Sequence, residues 1–236
     1  MLNNKKEIAE LAIVLVSGGM DSLVTAAIAH HHHHPMAFLH LNYGQKTQEK
    51  ELQCFHKIAD YYHVPSHFRK VIDISFLSQI GGSSLTDQSI KVKKYRGDTE
   101  EVPDSYVPFR NTHIISMAVS WAEVLGAKKI YIGAVDEDGS GYPDCRPSYY
   151  KALNALIKEG TKEGDIEVIT PVIKMKKFEI VQKAIELKAP IKWSWSCYAN
   201  SDKACGICDS CALRLRGFSQ ANIDDPIDYH SRPKYD

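Results

Sequence analysis

The chain has 236 residues, 44% of them hydrophobic and 25% charged, which suits one large domain or a domain with a modest appendage. Its 29 basic and 29 acidic residues cancel, which argues against a long nucleic acid as partner and leaves a small molecule as the expected ligand. No apolar run approaches the roughly 20 residues that cross a bilayer, and the charged start does not read as a signal peptide, so no membrane and a cytoplasmic location are expected.

In chain order, "LAIVLV" predicts a first strand over 11–16, followed by the tight loop "SGGMDS" and a helix over about 22–30. "MAFLHLN" predicts a second strand over 36–42. "QKTQEKELQCFHKIADYYH" places Leu52, Phe55, Ile58, Ala59 and Tyr62 at helical spacing. "HFRKVIDI" predicts a third strand. Residues 77–105 are polar and Gly/Ser-bearing and are expected to form a long excursion or mobile flap. "NTHIISMAVSWAEVLGA" predicts a helix capped by Asn111 or Thr112 and stopped by Gly126. Then come strand "KKIYIGAV", loop "DEDGSGYPDCRPS", helix "YYKALNALIKEG", strand "DIEVITPV" and helix "KKFEIVQKAIEL". Strands alternating with helices predict an α/β fold with a doubly wound, mostly parallel sheet.

In such a sheet ligands bind outside the carboxyl ends of the strands. The first strand delivers "SGGMDS" there. Gly18 and Gly19 permit positive φ and close approach of an anion. The next helix adds its N-terminal amides, carrying about half a positive charge. Ser17 and Ser22 add hydroxyl donors. Asp21 would repel phosphate alone, so magnesium is expected between them. The G-x-x-x-x-G-K-[ST] pattern is absent, so this is a different phosphate cradle from the Walker loop.

Four of the six cysteines, Cys197, Cys205, Cys208 and Cys211, follow C-x7-C-x2-C-x2-C. Four thiolates at this spacing predict a closed, structural zinc site, with an iron–sulfur cluster as the alternative. Cys54 and Cys145 stand apart. A C-terminal zinc lobe over 191–236 is expected to pack on the α/β domain over 1–190 that carries the phosphate cradle.

"SGGMDS" resembles the PP-loop of the ATP pyrophosphatases. Together with "LHLNYGQKT", "YVPFRN", "IGAVDEDGSGYPDCRPSY", "WSCY" and "CGICDSCALRLRGF", it resembles the 7-cyano-7-deazaguanine synthase family of the queuosine pathway. The resemblance implies an adenine nucleotide alpha hydrolase-like fold. It implies conversion of 7-carboxy-7-deazaguanine and ammonia to a nitrile, with ATP activating first the acid and then the amide. It assigns ATP, with magnesium, to Val16, Ser17, Gly18, Gly19, Met20, Asp21, Ser22, Leu23 and Leu41. Asp21, Arg110 and Arg146 are the catalytic candidates. Asp138, Tyr142, Asp144 and Arg146 are the substrate candidates, with Asp138 matched to the family's aspartate before "SGYPDCRP"; Asp144 or Arg146 instead holds the loop shape on the alternative reading. A homodimer without nucleic acid is expected.

Cys145 is read as structural, and Trp193 and Trp195 as packing around the zinc lobe. Lys174, Lys176 and Lys177 either contact phosphate or form a solvated run. Residues 30–34, five histidines, read as a solvated loop; they and 77–105 fit no motif. The rival readings are another PP-loop adenylating enzyme (a tRNA thiolase, or a paralogue loading a deazapurine-like acid onto a protein) and a zinc-knuckle nucleic-acid-binding module. The thiolase is disfavoured by neutral charge and the "GYPDCRP" loop and the knuckle module by "SGGMDS", whereas a paralogue could keep the same motifs and stays open.

Overall fold

A computed structural model describes residues 10–97, 101–136 and 141–235. Among them five strands form one parallel sheet in the order β3-β2-β1-β4-β5. They are β1 (Ala12–Leu15), β2 (Met36–Asn42), β3 (Arg69–Asp73), β4 (Lys129–Tyr131) and β5 (Glu167–Ile169). β1 is central, with Ala12 in register with Met36 on one side and Lys129 on the other. All its residues are buried, as expected of a parallel strand covered on both faces.

The period of two along β1 divides the core. Ala12, Val14 and Val16 face a layer containing α1 (Met20–His31), α2 (Gln48–Tyr61) and α5 (Lys177–Glu186). Ile13 and Leu15 face a layer built from α3 (Arg110–Leu125) and α4 (Pro147–Gly160). This is the doubly wound arrangement the sequence predicts. The last helix, α6 (Asp209–Gln220), adds Phe218 to the first layer, and the four clustered cysteines gather with Trp195 and Ile227 in a third apolar group.

Several local expectations are corrected. α1 begins at Met20, two residues early. α3 begins at Arg110, and its cap is Phe109 in a left-handed backbone (φ 58°), not Asn111 or Thr112. Asn111 is instead bound to the loop after β4: its amide N–H donates to Asp144 Oδ2 over 3.1 Å, and its Nδ2 to the Asp144 carbonyl over 3.0 Å. Gly126 does stop α3 in the left-handed region.

Over its described part the 77–105 segment is the long excursion expected, exposed or half-buried over 87–97 but anchored before and after that stretch. The turn Ser75–Ile80 leads into buried Ser83, Ser84, Leu85 and Thr86. Backbone bonds from Lys46 to Leu85 and from Ser84 to Asp104 tie the segment down. The histidine tract is exposed apart from partly buried His34, as expected, but His30 and His31 belong to the last turn of α1 and not to a loop.

Candidate active site

A cavity of about 570 Å³ opens at the carboxyl edge of the sheet, lined by the ends of β1 and β2 and the residues after β4. The phosphate-loop residues Val16, Ser17, Gly19, Met20, Asp21 and Ser22 line it, as does Leu41. Leu23 is fully buried in α1, in the core layer on that face of the sheet, and does not line the cavity.

The two loop glycines have different tasks. Gly18 has φ +88°, and a Cβ there would lie 2.4 Å from the Glu51 carbonyl. Gly19 is extended (φ −80°) and precedes α1, so it needs no positive φ. The serines are not free donors. Ser22 Oγ donates to the Gly19 carbonyl over 3.0 Å and accepts the Ser17 amide over 3.2 Å. Ser17 Oγ lies 3.0 Å from Ser22 Oγ and accepts the Gly19 amide over 3.2 Å. Both hydroxyls shape the loop. Gly133, after β4, presses against the same turn: a Cβ would meet the Ser22 nitrogen at 2.7 Å.

Asp21 is paired with Lys177, whose Nζ lies 3.0 Å from each carboxylate oxygen. Lys177 opens α5, and α6 presses on it where Gly217 leaves room; a Cβ at Gly217 would lie 2.7 Å from Lys177 Cγ. Of the three lysines singled out in the sequence, Lys177 lines the cavity and Lys174 and Lys176 do not.

Arg110, at the start of α3, also lines the cavity. Its guanidinium donates to Tyr43 Oη over 3.2 Å and stacks 5.2 Å from that ring, while its Nε is buried without a partner among the described residues. Burial pushes the Tyr43 phenol up to about 12, even with Arg110 beside it. Tyr142 lines the same cavity and its Oη is 2.6 Å from Ser105 Oγ.

Other substrate candidates fall elsewhere. Asp144 is buried against Asn111, the loop-holding alternative, and does not line the cavity. Arg146 is exposed, caps α4 and also lies off the cavity. Asp138 lies outside the described residues. Cys145 lines the cavity, but burial pushes its thiol up to about 11, so it is a poor nucleophile at neutral pH.

Other cavity residues were not legible in the sequence. Glu51 and residues 93–97 line it, so the 77–105 segment does reach matched positions. Trp195, Ser196 and Arg214 reach it from the C-terminal part. Arg214 is 1% exposed and meets Asp225 through two bonds of 2.7 and 2.9 Å. Its Nη1 also donates to Ser194 Oγ and Ser196 Oγ. Trp195, read as packing, is 5% exposed and does pack there, yet its amide also binds the phosphate loop, over 2.8 Å to the Gly18 carbonyl.

The sulfurs of Cys197, Cys205, Cys208 and Cys211 lie within 4.8 Å of one another, an arrangement that can hold a metal ion. Amides of Ala199, Asn200 and Cys205 point at Cys197 Sγ, and those of Ile207 and Cys208 at Cys205 Sγ. Such donors favour thiolates, the ligand form. Gly206 (φ +79°) makes the turn between them; a Cβ would meet the Ser231 carbonyl at 1.8 Å.

Fold and site together define a PP-loop α/β protein with a four-cysteine knuckle beside its cavity. The family model described as "Queuosine biosynthesis protein QueC" matches residues 11–222. The chain is 57% identical over 225 residues to the 7-cyano-7-deazaguanine synthase of Chlorobium chlorochromatii strain CaD3, covering 95% of this chain and 98% of that one. It is 57% identical over 225 residues to the protein of the same name from Chloroherpeton thalassium, covering 95% and 99%. A solved 4-thiouridine synthetase–RNA complex with bound ATP is similar at 22% identity and a TM-score of 0.47, over 76% of this chain and 41% of that one. The chain belongs to the QueC family of queuosine biosynthesis, the 7-cyano-7-deazaguanine synthases.

Proposed function

We propose that this chain is an ATP-dependent ligase that forms a C–N bond, turning 7-carboxy-7-deazaguanine and ammonia into 7-cyano-7-deazaguanine. The observation that carries the reading is one cavity shared by a phosphate loop and, across it, the cationic Arg110. A carboxylate is a poor electrophile because oxide would have to leave. Adenylation makes AMP the leaving group, and ammonia then gives the amide. The amide oxygen is equally hard to expel, so a second ATP activates it and loss of AMP gives the nitrile. Arg110, with its unpartnered Nε, pairs with the substrate carboxylate or a phosphate. Lys177 offers a positive charge to phosphate beside the loop, and Asp21, released from it, serves magnesium, which when bound neutralises phosphate charge. Val16, Met20 and Leu41 contribute apolar wall to the nucleotide site.

The four cysteines fit zinc. With Zn–S at about 2.3 Å, tetrahedral sulfurs lie about 3.8 Å apart, and Cys205 and Cys211 sulfurs are 3.9 Å apart. Four ligands leave no open position, so the ion is structural. The chain is read as a PP-loop domain over 1–190 carrying the zinc lobe over 191–236. It acts in the cytoplasm as a homodimer on small molecules, without nucleic acid.

The test is product analysis with purified protein. AMP, pyrophosphate and the nitrile should appear with ATP, ammonia and 7-carboxy-7-deazaguanine together, and AMP should be absent without the acid. AMP formation that depends on a tRNA or on an acceptor protein would overturn the reading.

A further inference from the structure

Glu51 is a cavity carboxylate that nothing above employs. It lies in the first turn of α2, and its backbone carbonyl abuts Gly18, so it stands beside the phosphate loop. A set of buried polar groups holds its side chain. Thr47 Oγ1 donates to Oε1 over 2.7 Å, and Gln45 Nε2 donates to Oε2 over 3.1 Å. Gln45 is itself fixed by the Tyr43 amide, which donates to its Oε1 over 2.8 Å. Thr47 and Gln45 are 3% and 5% exposed. The stretch "YGQKT" thus fixes one carboxyl group at the cavity wall.

The neighbouring carboxylates are committed differently. Asp21 faces Lys177 at 3.0 Å, and Asp104 faces Lys93 at 3.0 Å. Glu51 is held by two neutral donors, which weaken its basicity less than an ammonium in contact would. The charged and titratable groups facing it are Arg110 from α3, Tyr43 after β2 and Cys54 on its own helix. Burial pushes its carboxyl above the ordinary carboxylate range, outweighing the Thr47 and Gln45 bonds and the Arg110 charge. That moves it toward the neutral range where a general base works best.

We propose that Glu51 is the general base that takes the proton from the attacking nitrogen. This rests on the function proposed above. The ammonia nitrogen attacks the carbonyl carbon of the acyl adenylate. The C–N bond forms, the bond from that carbon to the AMP oxygen breaks, and AMP leaves with the electron pair. One nitrogen proton passes to a Glu51 oxygen and from there to solvent. No oxidant or further reactant is needed. Phosphate activation precedes this step and does not call on Glu51.

The experiment separates the two half-reactions in Glu51→Gln. With ATP and 7-carboxy-7-deazaguanine, the variant should release a burst of pyrophosphate like the wild type. With ammonia, amide and nitrile formation should fall on the order of 10²–10⁴-fold. Hydroxylamine, largely unprotonated at neutral pH, should restore transfer, read as hydroxamate. Nitrile at the wild-type rate, or loss of the pyrophosphate burst, would overturn the assignment. Asp209, the first residue of α6, also lines the cavity, so an ammonia-specific loss in Asp209→Asn with none in Glu51→Gln would overturn it too. Should Glu51→Gln not fold, Glu51→Asp keeps a carboxylate one methylene short and should show a smaller loss confined to the ammonia step; a wild-type profile there would overturn it. Failure of the wild type to form pyrophosphate from the acid would refute the proposed function instead.

Discussion

The amide of Trp195 donates to the carbonyl of Gly18 over 2.8 Å, joining the phosphate loop to a segment far along the chain. That segment is short and held at both ends. Ser194 Oγ and Ser196 Oγ both accept from Arg214, and Cys197, two residues past Trp195, belongs to the cysteine cluster. The loop's shape therefore depends on groups outside the loop and far from it in sequence.

Arg214→Gln should expose this dependence. It leaves Asp225 buried without its cation, and breaking a buried pair in this way costs roughly 3–5 kcal/mol. Urea unfolding should show the loss. ATP affinity, measured by calorimetry below the unfolding range, should weaken as the Trp195–Gly18 bond loosens. Unchanged ATP affinity in a destabilised but folded variant would show that the segment does not govern the loop.

Asp21→Asn tests the other side of the loop. Asp21 is part-exposed and pairs with Lys177, so its removal should leave the unfolding midpoint within a few degrees. AMP formation should fall on the order of 10²-fold, the scale seen when one electrostatic contact to a transition state is lost. Wild-type turnover at ordinary magnesium would remove Asp21 from the mechanism.

Metal analysis should find one zinc per chain, and Cys208→Ser should lose it. Thermal unfolding should report a large loss of stability, since metal binding contributes on the order of 10 kcal/mol to folding in small zinc modules. Gly206→Ala should do the same without altering a ligand, because its Cβ would collide with the Ser231 carbonyl. Full stability in metal-free protein would contradict a structural metal.

His40 gives the stability a pH dependence of known sign. It is 1% exposed, with Nδ1 2.9 Å from the Val16 carbonyl and Nε2 3.2 Å from Asn42 Oδ1. Burial lowers its pKa below the ordinary 6.5, more than the bonds to Val16 and Asn42 raise it. The unfolded chain therefore takes up this proton first. The stability is fully present above about pH 6.5 and is lost as pH falls from there through the folded value, at up to about 1.4 kcal/mol per pH unit. Urea unfolding from pH 7.5 to 5 should follow this slope, and the His40 ring resonance should titrate below the ordinary imidazole range. Protonation of His40 at pH 7 would reverse the sign.

The layers of this fold were legible because they rest on local pattern. The continuous apolar run of β1 and the helical spacing in α2 mark the buried residues without knowledge of their partners. The phosphate loop and the cysteine cluster were legible for the same reason, each being confined to one stretch. The Asp21–Lys177 pair was not, since 156 residues separate its members and no local signal links them. Nor was the start of α3: Phe109 adopts a left-handed backbone that its residue type does not advertise, while Asn111, a good cap by type, is drawn to Asp144. The 77–105 segment looked solvated because its buried residues include serines and a threonine; Ser84 and Ser105 are satisfied only by partners distant in sequence, Asp104 and Tyr142.

The bond between Trp195 and Gly18 also orders events during synthesis. β1 and its loop leave the ribosome well before Arg214 and Asp225, which hold the segment around Trp195. Contacts this distant in sequence form late because the intervening chain must first be gathered. A nascent chain can thus assemble its sheet with the phosphate loop still unpinned. Tight nucleotide binding would then begin only once α6 has docked, so a partly synthesised enzyme would not hold ATP.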